Sequence, residues 1–500
     1  MKKHLFALSV MICTFIQSTT AQTHSSSRAI TLEQAINIAT DSSLNAIRAK
    51  NQYLSGYWQY RSYKASRLPA LSLQTNPLHY NSNFVKRYDS QNNVDVYKSQ
   101  QSFSSSANLS LTQNVDVTGG TFFVDTELGY LKSFGADKHE QFSSVPIRIG
   151  YSQSLLGYNS FKWDKKLEPL RFERIKKEVV YNLEEISELT TRYFFSHSLS
   201  QTLYNLSEQN RNNCDTLYRI GEERHKIGSI SQADLLTLKL NYINAKNDLQ
   251  NSEITLKRSS IQLANFLRFK SNTEFILILP ENPPPLYISQ EEALVYAKAN
   301  NPQMIQMAEQ LLQAQQQLDK TKKESRFSAS ISASVGFNQV AGNFIDAYRK
   351  PLQQDMVTIG MTIPILDWGV KKGRVNMAKS NLNVTTVSLQ QEEQSFEQDI
   401  IMTVSDFNVR MSQILSAGDA RNVADMAYDE TKQRFLIGKT DVNSVNSALN
   451  NRTQAQRNYI NALSNYWECY YKIRKMTMYD FFNKKNVADK YEKIVGLNEH

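Results

Sequence analysis

Two short stretches combine residue types that can do chemistry near helix ends: "RHKIGSISQADLL" (224–236) and "RFLIGKTDVNSV" (434–445). Gly228 and Gly438 each close a long apolar-periodic segment, as expected of a C-terminal glycine that accepts positive φ without a Cβ penalty. Arg224 and Arg434 lie in the last turn, where a cation complements the helix dipole. Asp234 lies six residues past Gly228 and Asp441 three past Gly438, at positions that suit N-cap or first-turn aspartates. These groups can bind ions or cap helices; they do not make a catalytic set. The chain has no G-x-x-x-x-G-K-[ST], H-E-x-x-H or G-x-S-x-G, and its seven histidines are scattered singly, none at metal-ligand spacing. The reading is of a non-enzyme with no cofactor and no metal.

The elements that position these tips are unusually long. From about Lys162 to Ile227 the sole proline is Pro169, read as lying near the helix start, and from about Val370 to Ile437 there is none. Helices of about 160–227 and 369–437 follow, each about 100 Å long at 1.5 Å per residue, with partners at about 230–270 and 441–476. Ile400, Val404, Phe407, Met411 and Ile414 step by fours and threes, as do Val179, Leu183, Ile186, Thr190 and Tyr193. Such a 3.5-residue repeat buries a narrow seam against another helix. Tyr242 to Phe266 and Ala455 to Ile473 carry matching seams with many small or polar positions, which suits a partly wet cylinder of helices.

The pattern is written twice. A shift of 210 residues lays "IGYSQSLLGYN" (149–159) on "IGMTIPILDWG" (359–369) and "ERHKIGSISQADL" (223–235) on "QRFLIGKTDVNSV" (433–445). Upstream, "LEQAINIA" (32–39) matches "QEEALVYA" (290–297). Two repeats are therefore expected, 22–271 and 290–476, joined by a proline-rich extended strap at 272–289 and followed by a tail, 477–500.

Period-two alternation marks strands. "SASISASVGF" (328–337) puts Ala329, Ile331, Ala333, Val335 and Phe337 on one face, and Val357 to Ile365 behave alike, giving strands at about 328–341 and 355–366. The first copy holds four such segments between about 69 and 152. Alternation over about ten residues is the signature of a membrane-spanning β-barrel. Six strands or fewer cannot close a sheet within one chain, and open edges do not exist in lipid, so a barrel requires several chains.

Bulk properties agree. "MKKHLFALSVMICTFIQSTTA" reads as a secretory signal peptide, 1–21. Ile12 before Cys13 speaks against a lipid anchor. No later stretch is a transmembrane helix. Cys214 and Cys469 are too few and too far apart for a disulfide framework. Once Lys2 and Lys3 are removed, 55 basic side chains face 48 acidic ones and are scattered among them, which excludes a nucleic-acid surface.

Signal, duplicated unit, long helices and paired amphipathic strands together resemble the TolC-type outer-membrane efflux family. The tip motifs at 224–236 and 434–445 are similar to that family's helix–helix turns, and "SQSLLGYNSFKW" and "TIPILDWGVKKGR" to its strand-to-helix passages. The resemblance implies an α+β membrane protein: a homotrimeric β-barrel in the outer membrane of a Gram-negative bacterium, continued by a hollow coiled-coil barrel in the periplasm. It implies a passive channel that docks, through Arg224, Gly228, Arg434 and Gly438, on a periplasmic adaptor and an inner-membrane transporter of the RND, ABC or MFS class. Near a threefold axis Asp234 and Asp441 become rings of three carboxylates, and Asp441 is expected to line the narrow end. Ser444 stands where the second copy would repeat Asp234. At the barrel-to-helix junction, Pro364 sets a bend, Asp367 caps the next helix, and Trp368 and its echo Tyr158 sit at the lipid interface. The family has two strands per copy, twelve in a trimer. Here the extra hairpin at about 106–130 either widens the wall to eighteen strands or lies outside it, and the reading leans to the latter. The alternative function is a soluble periplasmic coiled-coil adaptor or scaffold.

Overall fold

The structure, a computed structural model, describes residues 28–134, 138–271, 273–280 and 283–491; the expected signal peptide, 1–21, lies outside the described residues. In chain order the elements are β1 (Arg28–Thr31), α1 (Leu32–Ser42), α2 (Leu44–Ala65), β2 (Ala70–Asp89), β3 (Val94–Val115), β4 (Gly120–Phe134) and β5 (His139–Ser154). Then come α3 (Ser160–Lys226), α4 (Gln232–Leu267), β6 (Phe275–Ile278), α5 (Gln290–Asn300), α6 (Pro302–Glu324), β7 (Ser328–Ala341) and β8 (Leu352–Thr362). The chain ends with α7 (Val370–Leu436), α8 (Val442–Thr477), β9 (Tyr479–Asp480), β10 (Lys485–Asn486) and α9 (Val487–Lys490). Both α3 and α7 have 67 residues, both α4 and α8 have 36, and each boundary of one pair lies 210 residues from its counterpart. Pro169 is not in the first turn but inside α3, where it removes one backbone hydrogen bond while the helix continues.

Two compact units are formed. One comprises the described residues up to Ala46 with Ile186–Pro285 and Arg410–Glu468; the other comprises Ile47–Glu185, Leu286–Val409 and the residues from Cys469 onward.

The first unit holds a short parallel pair in which β1 matches Arg28 to Phe275 of β6 and Thr31 to Ile278. The apolar run expected to be a bare strap thus makes a ladder, because its backbone groups find partners in the segment before α1. Thr31 then starts α1 with a capping box to Gln34. The seam positions Ala245, Ser259 and Leu263 are buried. His197 is buried with them, its Nδ1 2.9 Å from Ser259 Oγ and its ring edge-on to Phe275.

The second unit contains one six-stranded sheet in the order β2-β3-β4-β5-β7-β8, every pair antiparallel. The hairpin expected to lie apart is instead in the middle of this ladder: β3 pairs continuously with β4 from Gln101↔Phe134 to Val115↔Gly120. Alternation alone could not reveal that order, since it assigns faces and not neighbours. Strand β8 also ends earlier than the pattern suggests, at Thr362, because its partner β7 begins at Ser328. Ile363 and Ile365 keep the alternation without a ladder.

The register separates two faces. Row by row, Leu71, Leu111, Val124, Ile149 and Val335 share one face with Leu73, Leu109, Ile331, Val357 and Ile359. That apolar face is uncovered: Leu73 is 65% exposed and Val357 69%. Away from the helices it is bounded by a row of rings, Phe103–Tyr130–Phe142–Phe344–Tyr348, with centroids 4.9 to 6.2 Å apart. The opposite face carries Ser110, Asn108, Ser332 and Ser334 and a bidentate Asp125–Arg148 pair at 3.0 and 2.8 Å.

Residues 478–491 of the expected tail pack against the helices. Asp480 receives a hydrogen bond from Tyr470 (2.7 Å) and one from Arg474 Nη1 (3.1 Å). The Arg474 guanidinium also donates to buried Glu184 through Nη2 at 2.8 Å, and Tyr491 donates to the same carboxylate at 3.0 Å. Burial of the arginine is offset by these two acids, which hold its pKa above the usual range.

Candidate functional site

The two helix tips meet over one small core. Leu217 of α3, Leu238 of α4, Tyr428 and Phe435 of α7 and Val445 of α8 are buried together. Beneath them Asn213 donates to the Tyr428 hydroxyl at 2.8 Å and accepts from Lys432 at 2.8 Å. Arg452 lies over the Tyr428 ring and donates to Asp425 at 2.6 Å. Cys214 is a free buried thiol beside this core, its pKa pushed up by burial to about 11, and it is not set up for nucleophilic chemistry. Cys469 donates to the Thr403 carbonyl.

Each tip turn is a Schellman motif. Gly228 N–H donates to His225 O (2.9 Å) and Ser229 N–H to Arg224 O (2.8 Å); Gly438 and Lys439 donate to Phe435 O (3.0 Å) and Arg434 O (2.8 Å) in the same way. Both glycines hold φ near +75°, a conformation that costs other residues a Cβ clash. The arginines differ from expectation. The Arg224 side chain does not cap its own helix; it donates from Nη2 to Leu436 O (2.8 Å) and from Nη1 to Phe435 O (3.4 Å) at the end of α7, and lies over the Phe435 ring. Arg434 is exposed.

The aspartates are helix caps with reversed chemistry. In α4, Ser231 is the N-cap: its hydroxyl accepts from Asp234 N–H (3.1 Å), and Asp234 Oδ2 accepts from Ser231 N–H (3.2 Å). In α8 the acid occupies the cap itself: Asp441 accepts from Ser444 N–H at 2.9 Å and from the Ser444 hydroxyl at 3.1 Å. The backbone bond from Ser444 holds the Asp441 pKa below its usual value. Both carboxylates are exposed, so each combines a capping role with a free negative face.

At the sheet-to-helix junction Asp367 accepts from Gly369 N–H (3.0 Å) and Lys371 N–H (3.1 Å), tying down donors at the start of α7. These bonds lower its pKa. Trp368 and Gly369 both take left-handed backbone, φ +54° and +89°, which turns the chain sharply. Pro364 lies in the irregular stretch after β8. Trp368 is 88% exposed, but Tyr158 is not its equivalent: it is half-buried and its hydroxyl accepts from Gln316 Nε2 of α6 at 2.6 Å. The first copy's cap is Asn159, which accepts from Lys162 N–H (3.1 Å) and donates to Asp116 O (2.9 Å) in the β3–β4 turn. The "YN" pair immediately before α3 is its sequence signal.

Among the described residues no group of side chains converges on catalysis. A cavity of about 520 Å³ in the second unit is lined by Tyr53, Glu178, Asn182, Gln306 and Glu392 among others. Its acids are engaged, Glu178 with Arg174 and Glu392 with Gln303 at 2.9 Å. Among the described residues no three His, Cys, Asp or Glu side chains are grouped to hold a metal ion, and no helix is long and apolar enough to cross a membrane.

An amphipathic antiparallel sheet that leads into paired helices of 67 and 36 residues is the architecture of the outer-membrane channel proteins. Three solved structures share it: the CmeC outer membrane channel of Campylobacter jejuni (TM-score 0.65, 15% identity, 93% of this chain and 89% of that one), the open state of the MtrE outer membrane channel of Neisseria gonorrhoeae (0.57, 13%, 90% and 89%), and the outer membrane protein VceC of Vibrio cholerae (0.53, 13%, 89% and 95%). At such identities they establish the fold. A comparison with curated proteins finds no match. The sequence model of the outer membrane efflux protein family, whose members are transport proteins and not enzymes, matches residues 293–477, from α5 to the end of α8.

Proposed function

We propose that this chain forms, as a homotrimer, an outer-membrane channel-tunnel that passively conducts substrates delivered by an inner-membrane transporter and a periplasmic adaptor. In this reading each chain consists of two repeats of one unit. Their strands share a barrel in the outer membrane of a Gram-negative cell, and their helices enclose the periplasmic tunnel. The observation that carries the reading is the uncovered apolar face of the sheet, with Leu73 and Val357 about two-thirds exposed and a terminal row of aromatic rings. Water penalises such a face by roughly 25 cal/mol per Å²; lipid removes the penalty, and aromatic girdles are the expected boundary.

The tip turns carrying Arg224, Gly228, Arg434 and Gly438 are the surface offered to the adaptor. Asp234 and Asp441 face the narrow end, where three copies of each raise the local cation concentration. Pro364, Asp367, Trp368 and Tyr158 mark the passage from barrel to helices.

Membrane fractionation tests the first part: the protein should partition with the outer membrane, require detergent and run as a trimer, whereas release by osmotic shock would indicate a soluble scaffold. Planar-bilayer conductance of Asp441→Ala combined with Asp234→Ala tests the second. Reduced cation preference is expected; wild-type conductance and selectivity would remove the aspartates from the pore.

A further inference from the structure

We propose that all six strands of the sheet are part of the barrel wall, and that β8 of one copy closes against β2 of the next to make eighteen strands in the trimer. This rests on the trimeric channel reading above.

Strands β2 and β8 are the two ends of the sheet, each with one hydrogen-bonded neighbour among the described residues. Because the sheet has six antiparallel strands, β2 and β8 run in opposite directions, so β8 can meet β2 of a second copy as a further antiparallel pair. Both edges carry the same apolar face, Leu71 and Leu73 on β2 and Val357, Ile359 and Met361 on β8, all strongly exposed. An unpaired edge in lipid leaves backbone donors and acceptors unsatisfied. A second copy supplies the missing ladder without turning polar side chains to lipid.

The register supports closure. Following paired residues across the sheet, Leu71 leads to Leu111, Val124, Ile149, Val335 and finally Asp355. Leu71 is one residue from the helix-side end of its strand, Ala70, while Asp355 is seven residues from the corresponding end, Thr362. The row therefore climbs six residues across one copy. Barrel strands tilt by roughly 35–45°, which over six strands at about 4.8 Å spacing requires a climb of roughly six to nine residues. A copy with this stagger sets the next copy's Leu73 beside Ile359 and its Leu71 beside Met361, apolar against apolar.

The alternative is a wall of β4, β5, β7 and β8 only. It requires β4 to exchange the fifteen-residue ladder it makes with β3 for a pairing with the neighbour's β8. It would also leave the apolar side chains of the β2–β3 hairpin, Leu71, Leu73, Leu109 and Leu111, without a wall to belong to. Barrel diameter grows roughly linearly with strand number, so eighteen strands give a lumen about half again as wide as twelve. Such a mouth passes bulkier cargo.

Cysteine cross-linking in the full-length chain, with Cys214→Ala and Cys469→Ala, decides between the walls. Leu73→Cys with Ile359→Cys is expected to shift the protein from monomer to covalent dimer and trimer on a denaturing gel after oxidation in outer membranes, while each single variant stays monomeric. Leu71→Cys with Met361→Cys repeats the test at a second row should the first pair disturb folding. Cross-linking of Val124→Cys with Ile359→Cys in place of these pairs overturns the proposal. So does absence of any link in a protein that remains an outer-membrane trimer. Release of the uncross-linked protein by osmotic shock overturns the channel reading itself.

Discussion

Arg224 reaches across to the end of the other long helix and donates to the Leu436 carbonyl at 2.8 Å, although the two residues stand 212 positions apart. One tip turn therefore closes with the help of a side chain from the other. Its own last carbonyls are satisfied by Gly228 and Ser229.

Arg224→Ala should weaken both tips together. Losing a charge-assisted hydrogen bond and the packing of the guanidinium on Phe435 costs about 1–2 kcal/mol in a half-buried setting. Faster amide hydrogen exchange is expected around residues 435–440 in the Arg224 variant and much less in Arg434→Ala. Equal effects from the two arginines would show that the cross-helix bond does nothing special.

Asp441→Asn separates capping from charge. Asparagine caps a helix about as well as aspartate, so the melting temperature should hardly change, while any contribution of the carboxylate to cation preference disappears. Asp441→Ala should lose both the cap and the charge and lower the melting temperature. A selectivity change that follows only the alanine variant would mean that helix geometry, and not charge, sets the conductance. The lowered pKa of Asp441 also gives a sign. Its capping stability is fully present above the ordinary carboxylate range near 3.8 and fades as pH falls through the lower folded value.

Burial depresses the pKa of His197 below its ordinary 6.5. Between the folded value and 6.5 the unfolded chain takes up a proton that the folded chain refuses, so stability falls as pH drops below about 6.5. His197→Gln retains a polar partner for Ser259 and should flatten the melting temperature between pH 7.5 and 5.5. An unchanged pH slope in the variant would exclude His197 as the source.

The Glu184–Arg474–Asp480 group should behave as a buried ion cluster. Glu184→Ala leaves the guanidinium with Asp480 alone and is expected to cost about 3–5 kcal/mol, whereas Glu184→Leu with Arg474→Met and Asp480→Asn should recover much of that loss. Denaturant titration of the full-length protein reads both. If the single variant costs under about 1 kcal/mol, solvent is reaching the cluster.

Local chemistry determined much of this protein. The near-absence of proline and the four-three spacing predict helices that the structure bounds at Ser160–Lys226 and Val370–Leu436, and period-two alternation marks parts of the strands and their apolar face, although β2 runs on to Asp89 and β3 starts at Val94. Glycines at 228 and 438 mark turns because a glycine takes positive φ without a Cβ penalty. What alternation and spacing cannot convey is which distant partner an element meets. The placement of β3 inside a six-stranded ladder, the pairing of β1 with β6, the withdrawal of Tyr158 to Gln316 and the reach of Arg224 to Leu436 depend on backbone and side-chain groups tens to hundreds of residues apart finding donors and acceptors. Those choices are made by packing, after the local pattern has already assigned every residue its face.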